Sequence, residues 1–218
     1  ITEGLVGSEM CIRDSFSAFM AASEDEAEAG EPVWTGQINP DLRTAYEELL
    51  IADPATVDGS GSLRSIALAA QAAQAVVTEA LGLSDLAGIQ VRGEIISNGL
   101  QGLEEDLNND DFVSTIEGVH PILREGGGIE FVLEDLSTAS FSVEPGHPVK
   151  DLANYAYDCT QRIESYVRYA ANRGGVASVS ASTASAQEKL LEVQENLDWA
   201  LSGQDENSDG AIDDITEG

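Results

Sequence analysis

The residues best placed to do chemistry in this chain carry oxygen. Near the C-terminus Asp205, Asn207, Asp209 and Asp213 alternate with other residues around Gly210. Carboxylate and amide oxygens crowded into one short turn suit a hard cation, which takes oxygen ligands. Two Glu-x-x-His spacings also occur, Glu117 with His120 and Glu144 with His147. Three residues apart, an acid and an imidazole share a helix face and could hold a transition metal in a bundle core. Glu117 and His120 can share such a face, whereas Glu144-Pro145-Gly146-His147 cannot be helical. Cys159 lies on an apolar helical seam, where a thiol packs as a small hydrophobe rather than acting as a nucleophile. No serine stands in a nucleophile elbow, and no histidine is paired by sequence with a nucleophile and an acid, so no catalytic residue is named.

The run Asp205-Glu-Asn-Ser-Asp209-Gly210-Ala-Ile212-Asp213 resembles the calcium loop of EF-hand and dockerin-type motifs. The resemblance implies calcium as a cofactor, with Asp205, Asn207, Asp209, Ala211 and Asp213 at ligand positions, Gly210 at the sharp turn and Ile212 packed inward. It departs from the pattern at the twelfth position, where Thr216 stands and Glu217 follows one residue late. The paired Glu-x-x-His spacings suggest a ferritin-like di-iron site, but only Glu117 and His120 meet its helical requirement.

A second resemblance concerns the other end. Leu5-Val-Gly-Ser-Glu-Met-Cys-Ile-Arg-Asp14 resembles a translated transposase sequencing adapter, which sets residues 1–15 aside from the fold. Without them Cys159 is the only cysteine, so no disulfide forms within the chain. Phe16 to Ala22 has the look of the end of a secretory signal peptide, an expectation of a secreted or periplasmic protein.

The full chain has 218 residues and a net charge of -30; without residues 1–15, 37 acids face 9 bases. Such an excess excludes nucleic-acid binding through phosphates and adsorption to anionic membranes. It gives a solvated anionic shell that tolerates high salt, or one that attracts a cation or basic partner. No apolar run is long enough for membrane insertion. One helical segment runs against the trend: Lys150, Arg162, Arg168 and Arg173 outnumber Asp151, Asp158 and Glu164. Tyr155, Arg162, Tyr166 and Tyr169 lie near one side of it, either as a binding surface for a protein or small-molecule partner or as residues pairing with acidic neighbours.

These residues need a scaffold, and apolar periodicity predicts an all-α, up-and-down helical bundle of about four main helices with shorter helical additions. Pro40 opens a first helix. Leu63, Ile66, Ala70, Ala73, Val77 and Leu81 line a second, with Gly82 at its end. Ser84 caps a third, whose seam runs Leu86, Ile89, Gly93, Ile96, Leu100, Leu103 and Leu107. Its glycines, each costing about 1 kcal/mol, require tertiary packing or a break near Asn98-Gly99. A short fourth helix is predicted from Asp110 or Asp111, carrying Phe112, Val113, Ile116 and Val119 and ending or kinking at Pro121. Another fits Ile129 to Leu136, although Ile129, Phe131 and Leu133 would also suit a strand, and the run to Pro148 is loop. A long helix follows from Pro148 to Arg173, closed by Gly174-Gly175. The last carries Ala186, Leu190, Val193, Leu197 and Leu201.

The expected organisation is residues 1–15 adapter-derived, 16–38 leader and acidic tether, 39–202 the bundle, and 203–218 a truncated acidic calcium-loop-like tail. The expected function is a non-enzymatic acidic helical binding or interaction module, calcium-stabilised at its C-terminus. The alternatives are a metal-binding bundle using Glu117 and His120, as enzyme or carrier, and a structural spacer of a larger surface protein.

Overall fold

The computed structural model describes residues 40–203, apart from 55, 58, 126, 127 and 147. The adapter-like segment, the leader and tether, and the 205–213 loop lie outside the described residues. Within them are six helices and no strand: α1 (Pro40–Leu50), α2 (Ser62–Leu81), α3 (Leu86–Gln101), α4 (Ile129–Phe141), α5 (Pro148–Ser178) and α6 (Thr183–Ser202).

Helices α2, α3, α5 and α6 form a ring in which each packs on two neighbours, and α1 and α4 add to one side. Side-chain contacts fix the directions. Gln74 of α2 bonds Asp198 of α6, while Gln187 of α6 donates to the Leu83 carbonyl just past α2 at 3.2 Å. Rising numbers on one helix meet falling numbers on the other, so the pair is antiparallel. The same holds for α3 and α5, where Gln90 donates to the Ser180 carbonyl at 2.9 Å and Gly93 abuts Gly174. Tyr166 and Tyr169 of α5 likewise meet Trp199 and Glu192 of α6. The all-α, up-and-down bundle of four main helices with shorter additions is therefore observed.

The seams read from the sequence supply the core. Ile66, Ala70, Ala73 and Val77 from α2, Ile89, Ile96 and Leu100 from α3, and Leu190, Val193 and Leu197 from α6 are buried in one cluster with Val167 and Ala170 of α5. Leu49 of α1 and Val132 and Leu136 of α4 join it from the side. Cys159 is buried on α5, as its place on an apolar seam implied.

Several boundaries differ from expectation. Helix α5 runs through Gly174-Gly175 to Ser178 rather than closing there. A side chain at Gly93 would put its Cβ 2.7 Å from the Gly174 carbonyl oxygen and from the Ser178 nitrogen. The two helices touch backbone to backbone, and that contact offsets the poor helix propensity of glycine. Helix α3 passes through Asn98-Gly99 and ends at Gln101, with Gly102 left-handed, so Leu103 and Leu107 leave the seam. Asp85, not Ser84, caps α3, accepting from the Gly88 N–H at 2.8 Å. Helix α4 continues to Phe141 through a stretch expected to be loop.

The predicted helix from Asp110 to Val119 does not form. The described residues between Gly102 and Gly128 are turns and irregular backbone, with left-handed φ at Asn109 (59°) and Asp111 (71°). Asp and Asn side chains here bond nearby backbone N–H groups, a competitor that defeats the helix ladder. The apolar residues that mimicked a helical stripe are dispersed: Phe112 is 73% exposed while Ile116 packs on the core.

Candidate functional site

The segment that replaced the expected helix is the most organised polar feature among the described residues. Residues 103–118 hold six acids and no base. Asp106 accepts from the Asp110 N–H through Oδ1 at 3.2 Å and from the Asp111 N–H through Oδ2 at 3.1 Å. Asn108 Oδ1 accepts from the same Asp110 N–H at 2.9 Å, and Asp110 Oδ1 from the Phe112 N–H at 2.9 Å. Each side chain folds the backbone ahead of it, so Asp106, Asn108 and Asp110 turn about one short loop. Their oxygens retain lone pairs beyond those bonds.

Two side chains of α3 hold this loop from below. Glu94 is fully buried, and its Oε2 accepts from the N–H groups of Leu107 at 2.9 Å and Asn108 at 3.2 Å. Its Oε1 accepts from the Ser114 N–H at 2.6 Å, across the loop. One turn along, fully buried Asn98 donates through Nδ2 to the carbonyls of Glu105 at 2.8 Å and Ser114 at 3.0 Å. Ile116 packs flat on Gly99, where an added Cβ would lie 2.5 Å from its Cγ1. The glycine that looked like a break in α3 is the slot that seats the loop.

The order of residues in this loop repeats that of the tail. Asp106-x-Asn108-x-Asp110 matches Asp205-x-Asn207-x-Asp209, and Val113 falls where Ile212 does. At the sixth position, where a calcium loop turns on glycine, Asp111 adopts the left-handed φ of 71° that glycine would supply. At the twelfth stands Glu117, the acid that the tail lacks. Two departures are evident. Val113 is 52% exposed rather than packed inward, and Glu117 is exposed. Among the described residues no three His, Cys, Asp or Glu side chains are gathered as a metal cage. Sequence reasoning missed this loop because Phe112, Val113, Ile116 and Val119 imitate helical spacing. The alternating Asp-Asn-Asp, already noted in the tail, was the signal that could have found it.

The other expected site residues are dispersed. Glu117 and His120 do not share a helix face, since both lie in irregular backbone. The helical premise of the metal-core alternative is therefore corrected: the Asp and Asn turns upstream consume the backbone donors that a helix would need. His120 is held below the usual imidazole range, by burial first and then by the Arg124 charge, against an opposing pull from Asp53. Its Nε2 is buried without a hydrogen-bond partner, while His147 lies outside the described residues. Glu144 is exposed in the turn before α5.

The Tyr/Arg stripe runs along α5, and its C-terminal half faces α6. The Tyr166 and Trp199 rings lie 5.6 Å apart, tilted by 57°. Tyr169 donates to Glu192 Oε2 at 3.0 Å and accepts from Arg173 at 2.6 Å, and the Arg173 guanidinium lies 4.6 Å from the Tyr169 ring centre. Glu192 is held below the usual carboxylate range, chiefly by its hydrogen bond from Lys189. Tyr166 and Tyr169 thus contribute to helix packing, and Tyr155 and Arg162, both half-buried, lie farther towards the α5 N-terminus.

A different acidic group lies where α4 meets α1. Asp135 is pushed up to about 7, by burial first and then by the charges of Glu48, Asp53 and Glu134. Asp53 is itself buried and accepts from Ser62 Oγ at 2.7 Å. Among the described residues no helix is long and apolar enough to cross a membrane. Compared with family models, with curated proteins and with solved structures, the chain matches none.

Proposed function

We propose that this chain is a non-enzymatic, acidic helical interaction module that takes up calcium at two loops of one pattern, 106–117 and 205–216. The observation that carries this reading is the 106–117 loop. Ligand-type residues stand at its first, third, fifth and twelfth positions, and the sixth takes the left-handed turn that the pattern requires. Calcium would take side-chain oxygens of Asp106, Asn108 and Asp110 and the Phe112 carbonyl, with Glu117 swinging in as the closing acid. In the tail the corresponding set is Asp205, Asn207, Asp209, Ala211 and Asp213. The surrounding negative charge favours a divalent cation by concentrating it near the surface. An exported protein would meet calcium at levels that suit weak sites, with dissociation constants of about 0.1–1 mM.

Isothermal titration with calcium tests this. The intact chain is expected to bind two ions, and Asp106→Ala with Asp110→Ala to leave one, with helicity retained by circular dichroism. No heat from the intact chain defeats the proposal. Equal stoichiometry in the double variant removes the 106–117 loop from it.

A further inference from the structure

We propose that Glu94 is a positioning residue that joins ion binding in the 106–117 loop to the folding of the bundle, an inference that rests on the calcium reading of that loop. Glu94 touches none of the ligand-type side chains in a hydrogen bond; it acts on the backbone that carries them. Its two oxygens take three N–H groups, from Leu107 and Asn108 on the incoming arm and from Ser114 on the outgoing arm. A carboxylate that is fully buried is tolerated only when donors surround it, and these three donors all come from the loop. Opening the loop therefore strands a charge inside the bundle. Conversely, losing the carboxylate frees both arms, and Asp106, Asn108 and Asp110 lose their registration.

Asn98 supports the same arms through carbonyls, at Glu105 and Ser114. Donor and acceptor groups of the loop are thus held by two residues one turn apart on α3. The neighbouring Gly93 is the backbone contact to α5, so the clamp sits where α3 and α5 approach most closely on that face. A ligand set held this way is preorganised by groups outside it, and loss of such support weakens metal binding by about 10–100-fold.

Glu94→Gln replaces one acceptor oxygen with an amide that faces backbone donors. In the full chain this variant is expected to weaken calcium binding at the 106–117 loop by about tenfold or more, leaving the tail site unchanged. Without calcium, hydrogen exchange at the Leu107, Asn108 and Ser114 amides should accelerate relative to the α6 amides. Leu190→Ala lowers bundle stability away from the loop and should leave the loop's calcium affinity as it is. Should Glu94→Gln fail to fold, Asn98→Ala, which leaves the Glu94 carboxylate paired, should show a smaller loss of the same kind. Wild-type affinity in the clamp variants, with the three amides still protected, overturns the proposal. If the intact chain binds no calcium at this loop the calcium reading fails, and with it the coupling to ion binding. The exchange rates would then still decide the clamp itself: slow in the intact chain and fast in Glu94→Gln supports it, and equal rates overturn it.

Discussion

In the four-helix ring the backbone groups of the helix interiors pair within their own helix, and the core side chains fill space. Between Leu103 and Ser114 the reverse holds: side chains of Glu94, Asn98, Asp106, Asn108 and Asp110 satisfy the backbone, and few residues fill space. The ring is accordingly built from Ala, Val, Ile and Leu, and the loop from Asp, Asn and Glu. Shape that comes from burial is indifferent to pH and ions in the first instance. A shape that comes from carboxylates bonding N–H groups responds to anything that changes their charge or engages their free lone pairs.

Substitutions separate the two modes, and the largest effect belongs to the ring. Gly93→Val forces side-chain atoms against the Gly174 carbonyl and the Ser178 amide, and should lower stability by about 3 kcal/mol in urea denaturation. In the loop, Asp111→Val places a β-branched residue at φ 71° and should cost about 1–2 kcal/mol. Asp111→Gly should retain full calcium binding, since glycine adopts that φ without strain. If Asp111→Val were as mild as Asp111→Gly, the left-handed turn would not be a constraint on the loop.

A smaller effect comes from the flank where α1 meets α4. Asp135 titrates at about 7 in the folded chain, against an ordinary 3.8. The folded state therefore keeps a proton that the unfolded state has lost between about pH 4 and pH 7. Stability falls as pH rises through that window and is level above it. Because Asp135 is only half-buried, solvent screening limits the effect to about 1 kcal/mol. Asp135→Asn should flatten this part of the pH profile and raise the melting temperature at pH 8. An unchanged profile would mean that burial and the charges of Glu48, Asp53 and Glu134 do not hold the proton on Asp135.

The sequence made the ring legible because its apolar residues recur at spacings of 3 and 4, and most of those positions are buried in the core, while Leu103 and Leu107 fall beyond the end of α3. The glycines of α3 were legible only as a problem. Their solution lies across the bundle in Gly174 and across the loop in Ile116, neither of which local spacing reveals. The loop was misread because Phe112, Val113 and Ile116 imitate a helical stripe, while propensity is overridden by the bonds Asp106 and Asp110 make to the backbone. Nothing in its type or local spacing distinguishes Glu94 from the other acids. Its burial follows from a contact with residues 13 to 20 positions away, which no periodicity announces.

Calcium uptake by the 106–117 loop would use that loop's own side-chain and carbonyl oxygens. Its most direct test is a calcium titration of the chain carrying Asp205→Ala and Asp209→Ala, followed by the amide resonances of Asp106 to Glu117. One ion bound, with resonances shifting in that loop and at Glu94 but not along α6, is the predicted result. No bound ion and unmoved loop resonances would contradict it.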